Sequence, residues 1–175
     1  MGMKRTTQTE LRRLILLGLI VAIKIVLGRF TVGPTYVQVG LGFVGSVLLG
    51  YLFGPWWGAL GGGVSDLVAS AIFGNSGGFF IGFTLTAMAG PLLYGLLLYR
   101  QPVKLWRVVV ATFLVTVIVN LGMNTWWIHL MYHAPFAQLL AIRGTKELIV
   151  PWIQMAMSYL VLKLIARVNE QRHIF

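Results

Sequence analysis

The chain contains no cysteine, and only 4 of its 175 residues are acidic. The first absence excludes disulfides and thiolate chemistry and leaves the redox compartment unread. Charged residues of both signs make up 10% of the chain, against roughly a quarter in soluble domains. No phosphate-binding loop of the G-x-x-x-x-G-K-[ST] form occurs, so any use of ATP falls to a partner. What fills the sequence is apolar. A hydrophobic content of 58% and a mean hydropathy of +0.83 describe an all-α integral membrane protein with no length spare for a soluble catalytic domain.

Apolar runs near residues 12–29, 39–54, 57–73, 79–99, 106–132 and 147–168 predict six transmembrane helices in a single membrane domain over 1–175. Gly33-Pro34, Gly54-Pro55, Gly74 to Gly78 and Gln101-Pro102 punctuate them, and residues 133–143 are predicted as a longer connection. Lys4, Arg5, Arg12 and Arg13 precede a first run with no small-residue cleavage pattern, which predicts a retained span. With both termini cytoplasmic, ten of the fourteen basic residues fall inside, as basic flanks require. The net charge of +10 is therefore read as topology, and no nucleic-acid partner is expected.

Lys24, Arg29, Arg143 and Lys146 are left in the outer half. A lysine at the depth of Lys24 costs a few kcal/mol unless paired or hydrated, so it either faces a cavity or snorkels to the interface. Asp66 is the acid within a span interior; it pairs with Lys24 or Arg29, or accepts hydrogen bonds from a donor-rich ligand. Asn120 and Asn124 stand one helical turn apart on a shared face, where they meet either a ligand or a neighbouring helix. Arg143 and Lys146, at i and i+3, form an anion site or contact headgroups. Phe30, Tyr36, Phe73, Phe79, Phe80, Trp126 and Trp127 gather at the predicted outer ends, as a stacking surface for a flat ligand or as an interfacial belt. Gln38 lies in the same outer connection as Tyr36 and joins the candidate ligand residues.

Gly54, Gly58 and Gly62 repeat at spacing four, and Gly18 with Ala22 forms a small-xxx-small pair in the first run. Such faces let helices approach closely. His129 and His133 stand at i and i+4 without a well-placed third ligand, so no metal site is assigned. Gly74-Asn75-Ser76-Gly77 matches the G-x-S-G string of intramembrane serine proteases, with His129 or His133 as a possible base. A glycine-serine turn is the commoner cause of that string, so no catalytic residue is assigned and a serine hydrolase stands as the alternative of another class.

The order Arg29-Phe30, Gly54-Pro55, Gly58, Gly62, Asp66, Asn120, Asn124-Thr125-Trp126, Arg143, Lys146 and Pro151 resembles the folate-specific substrate-binding component, or S component, of energy-coupling factor (ECF) vitamin transporters. The Asn-Thr-Trp run with the downstream Arg and Lys is the most specific part; the glycines and prolines are shared with S components for other vitamins such as riboflavin, a thiamine precursor or pantothenate. The resemblance implies a six-helix plasma-membrane subunit, not an enzyme, that captures folate from outside with no cofactor of its own. It further implies docking on a transmembrane coupling protein with two ATPases, and toppling in the bilayer to release folate inside. Members of that family dock through an Ala-xxx-Ala pair in the first helix, which Gly18 and Ala22 match with one departure. Folate has a flat pterin suited to Asp66, Asn120, Asn124 and the aromatic rings, and a two-carboxylate tail suited to Arg29, Arg143 or Lys146. Residues 30–39 and 74–80 are expected to close over it.

Overall fold

A computed structural model describes residues 3–32, 39–74, 79–133 and 135–172. They are helical apart from turns and one short antiparallel ladder. Helix α1 spans Met3–Leu27 and leads into strands β1 (Thr31–Val32) and β2 (Val39–Gly40), which pair Thr31 with Gly40 and Val32 with Val39. Then follow α2 (Gly42–Phe73), α3 (Ile81–Leu98), α4 (Leu105–Leu114), a π-helical segment (Val115–Met123), α5 (Asn124–Tyr132) and α6 (Phe136–Arg172).

Among the described residues, four helical runs are long and apolar enough to cross a membrane: Gly42–Phe73, Ile81–Leu98, Leu105–Tyr132 and Phe136–Val168. Their most apolar windows are no more than 50% buried, so much of their apolar surface faces outward. Trp56, Leu148 and Trp152 are each more than two-thirds exposed. Water would penalise such a surface, whereas hydrocarbon does not.

Helix α2 is two arms joined at Gly54. Its φ of 82° and ψ of −178° fall in a region open essentially to glycine, and Pro55 follows, with no N–H to offer a helix. The second arm folds back along the first. A Cβ at Gly58 would come within 2.9 Å of the Leu49 carbonyl oxygen and 3.2 Å of the Gly50 Cα. The spans expected at 39–54 and 57–73 therefore meet without any loop between them.

Helix α3 packs against both arms through glycine. Side chains added at Gly50 would collide with the Pro91 carbonyl and the Gly95 nitrogen, at Gly62 with the Ala87 carbonyl, and at Gly95 with the Pro55 backbone. Backbone-to-backbone approach of this kind replaces the hydrophobic drive that lipid does not supply. Two apolar clusters complete the interior. Val47, Tyr94, Leu98, Val108, Ala111, Val115, Val119 and Leu162 form one, and Ile20, Val21, Leu48, Leu49 and Phe53 the other.

Two expectations change. Residues 133–143 are not a long connection: α6 begins at Phe136, because Leu139, Leu140 and Ala141 favour helix and Arg143 and Glu147 share a face four residues apart. Helix α1 begins well before residue 12 for a related reason: falling hydropathy marks where lipid ends, and helix continues into polar residues. The run expected at 106–132 is helical from Leu105 to Tyr132, with its middle third in π-helical form.

Candidate ligand-binding site

The carboxy-terminal end of α1, the far end of the second α2 arm, the start of α3 and the segment around α5 converge at one end of the bundle. Gly45 lies directly against the Cα, Cβ and Cγ of Lys24, so the first α2 arm seals the lysine stem. The buried Nζ finds no hydrogen-bond partner among the described residues. Asp66, on the second α2 arm, carries the opposite charge. Thr84 of α3 donates a 2.8 Å hydrogen bond to Asp66 Oδ2, and among the described residues no hydrogen bond is found to the other carboxylate oxygen.

The aromatic wall is built from α3 and α5. Trp127 donates from Nε1 to Thr86 Oγ1 at 3.1 Å, and Thr86 in turn donates to the Gly82 carbonyl at 3.1 Å. Phe80 meets the Trp127 ring edge-on at 5.7 Å and Phe83 at 5.9 Å. Gly82 is required here, since a Cβ would run into both the Phe80 and Trp127 rings. Trp126, one residue earlier, is half exposed and packs against His129 and Phe136. The indole facing α3 is therefore Trp127, and Trp126 belongs to the outer surface near the start of α6.

Asn120 lies in the π-helical segment and donates from Nδ2 to Glu147 Oε2 at 3.4 Å. Arg143 and Lys146 precede Glu147 on α6 by four residues and by one, and all four side chains are half-buried. Asn124, also half-buried, begins α5 where the π-helical ladder ends. Arg29 is exposed, with its guanidinium 4.2 Å from the centre of the Phe73 ring, and Phe30 is exposed beside it. Tyr36 and Gln38 lie outside the described residues, as do Ser76 and the middle of both expected closing segments. Gly18 and Ala22 are exposed on α1, and a Cβ at Gly18 would meet nothing within 4 Å among the described residues.

A small groove with a volume of about 20 Å³ opens at the other end of the bundle, lined by Glu10, Arg13, Leu14, Leu17, Phe53 and Trp57. It holds none of these candidate ligand residues. Among the described residues no group of three or more His, Cys, Asp or Glu side chains is placed to hold a metal ion.

The family model for the ECF transporter substrate-specific component matches residues 12–166. The chain belongs to this family. Its members are substrate-recognising subunits of transporters, so the chain is a transport subunit and not an enzyme. It is 37% identical over 172 residues to the folate transporter FolT of Leuconostoc mesenteroides, covering 91% of this chain and 92% of that protein. The folate transporter FolT of Clostridium novyi is 32% identical over 157 residues, covering 89% and 91%. The crystal structure of a FolT bound with folic acid superposes with a TM-score of 0.78 at 32% identity, covering 86% of this chain and 92% of that one.

Sequence reasoning passed over Thr84, Thr86 and Glu147 as site residues and placed Trp127 only in a general aromatic cluster. A threonine in an apolar helix carries no charge to draw the eye. Its signal is spacing: Thr84 and Thr86 lie two apart on α3, one facing Asp66 and the other Trp127. Glu147 looked like a span-end acid because the start of α6 was placed at residue 147.

Proposed function

We propose that this S component binds folate from outside the cell and delivers it to an ATP-driven ECF transporter. The observation that carries the reading is the convergence, at one end of the bundle, of a buried ammonium, a carboxylate held at one oxygen by Thr84, an edge-on aromatic pair and a half-buried basic pair. In folate the pterin matches the Asp66, Asn120, Asn124 and Phe80–Trp127 walls, and the glutamate carboxylates match Arg143 and Lys146, with Arg29 at the rim. Lys24 balances Asp66 or meets the ligand directly. The FolT relatives, matched over nearly their whole length, support folate over other vitamins.

In this reading the chain crosses the membrane six times with both termini cytoplasmic. Helix α1, the two α2 arms, α3, the continuous run from Leu105 to Tyr132 and α6 are the six spans; the reversal at Gly54 supports that count, and Arg100, Lys104 and Arg107 on the cytoplasmic flank support the orientation. Residues 30–39 and 74–80, including Tyr36 and Gln38, close over bound folate. Gly18 and Ala22 contact the coupling protein, whose two ATPases supply the energy, and toppling carries the pocket to the cytoplasmic side.

Isothermal titration of the purified chain in detergent, without nucleotide, tests the assignment. Folic acid is expected to bind one-to-one while riboflavin gives no heat. Silence for folic acid from a folded sample would overturn the assignment, and a riboflavin signal would redirect it to another vitamin.

A further inference from the structure

Arg100, Lys104 and Arg107 surround the turn from α3 to α4, in a stretch with no acidic residue between Asp66 and Glu147. Of the other acids, Glu10 lines the groove with Arg13 on α1 and Glu170 lies near the end of α6. Membrane topology accounts for positive charge at this turn, but asks for nothing more than charge. The side chains here are held. Arg107 donates from Nη1 to Gln101 Oε1 at 2.6 Å, which draws its guanidinium back toward the turn, 5.3 Å from the centre of the Trp106 ring. Lys104 is the cap residue of α4, one turn before Arg107. Arg100 has a φ of 54°, in the left-handed region that few non-glycine residues adopt. Its guanidinium lies 5.1 Å from the centre of the Tyr99 ring, whose hydroxyl accepts a 3.5 Å hydrogen bond from Arg13. Next to this charge α4 turns an apolar face outward: Trp106, Val110 and Phe113, spaced four and three apart on one side of the helix, are all exposed.

We propose that the start of α4 is a binding site for an anionic phospholipid. Arg107 and Lys104 take its phosphodiester, Arg100 stands at the edge, and an acyl chain lies along Trp106, Val110 and Phe113. The occupant follows from charge and surface together. Clustered cations without a neighbouring acid in their own stretch of chain call for an anion, and the exposed face beside them calls for hydrocarbon; a phospholipid carries both in one molecule. Free phosphate would answer the first demand alone. With Nη1 engaged by Gln101, the guanidinium still has the N–H groups of Nη2 to offer phosphate oxygens. A zwitterionic lipid brings the same phosphate with an ammonium group that these cations repel. The site lies at the end of α3 remote from Gly82 and Thr84, so it does not depend on which vitamin the chain carries.

The full chain is purified in detergent micelles doped with equal mole fractions of dioleoyl phosphatidylglycerol and dioleoyl phosphatidylcholine, and the lipid it retains is read by native mass spectrometry. Wild-type protein is expected to prefer phosphatidylglycerol by about tenfold, less as salt is raised, and excess glycerol 3-phosphate is not expected to compete. Arg107→Gln should lower that preference about fivefold, and the combined Arg100→Gln, Lys104→Gln and Arg107→Gln variant should abolish it. Gln101→Ala separates an organised site from charge alone: it keeps every cation, releases Arg107, and is expected to lower the preference about twofold. It also carries the test if the variants that remove charge do not fold, which thermal unfolding in lipid-free detergent reports. Equal retention of the two lipids, a preference that survives the combined variant, or one that Gln101→Ala leaves untouched would overturn the proposal. Competition by glycerol 3-phosphate would make this a site for free phosphate and overturn the lipid assignment.

Discussion

Thr84 and Asp66 form a donor–acceptor pair whose value lies in what it leaves over. With Oδ2 held by the Thr84 hydroxyl, Asp66 presents one oxygen in a fixed direction. Asp66→Asn is expected to weaken folic acid binding by at least tenfold, by removing the charge and turning an acceptor into a donor. Thr84→Val frees the carboxylate to rotate and costs about 1 kcal/mol, a severalfold loss of affinity. Both are read by titration alongside thermal unfolding in detergent. An Asp66→Asn variant that melts normally and binds like wild type would remove Asp66 from the site. Asp66, Lys24 and Asn120 stand out as candidates in the sequence because charge or amide in an apolar run is conspicuous. Trp127 was not separated from Trp126, since adjacent indoles in a helix differ only in azimuth. The hydrogen bond to Thr86 fixes that azimuth, and Thr86 is forty-one residues away.

At the level of elements, glycines determine how closely the helices pack. Gly45→Ala would drive a methyl group into the Lys24 stem, and overpacking of this kind costs about 2 kcal/mol. Gly54→Ala forces a side chain into a backbone region that costs about 1–3 kcal/mol, and its Cβ would come within 3.2 Å of the Tyr99 ring. Each variant should lower the unfolding temperature in detergent, whereas Gly18→Ala, open on its outer side, should not. The glycine repeat and the breaker at Gly54-Pro55 could be read from the sequence. The π-helical segment could not. Val115 to Met123 contains no residue that would make an i→i+5 ladder preferable to an α-helix locally, so its cause lies in the contacts the segment makes with α3 and α6. π-Helical turns are rare and concentrate at functional sites, and this one carries Asn120.

For the whole molecule, the residues proposed for capture and those proposed for docking occupy different surfaces. The ligand residues converge at one end, while Gly18 and Ala22 lie exposed on α1 among Leu14, Ile15, Leu19 and Ile23. Ala22→Trp is therefore expected to leave folic acid affinity unchanged and to reduce uptake severalfold in vesicles that contain the coupling protein and ATPases. Unimpaired uptake would place docking on another face. Helical, membrane-spanning character was legible because composition determines which surface lipid accepts. The starts of α1 and α6 were not, because hydropathy reports lipid contact and is silent on where a helix continues into polar surroundings.

The bend at Gly54 has a consequence for how the protein is made. Two helices that reverse through a single residue leave no hydrophilic segment at their junction for an insertion machinery to hold back or pass across. Residues 42–73 are therefore expected to enter the bilayer as one pair, and a nascent chain cut at the bend is expected to fail to integrate its first arm stably until the second arm is supplied.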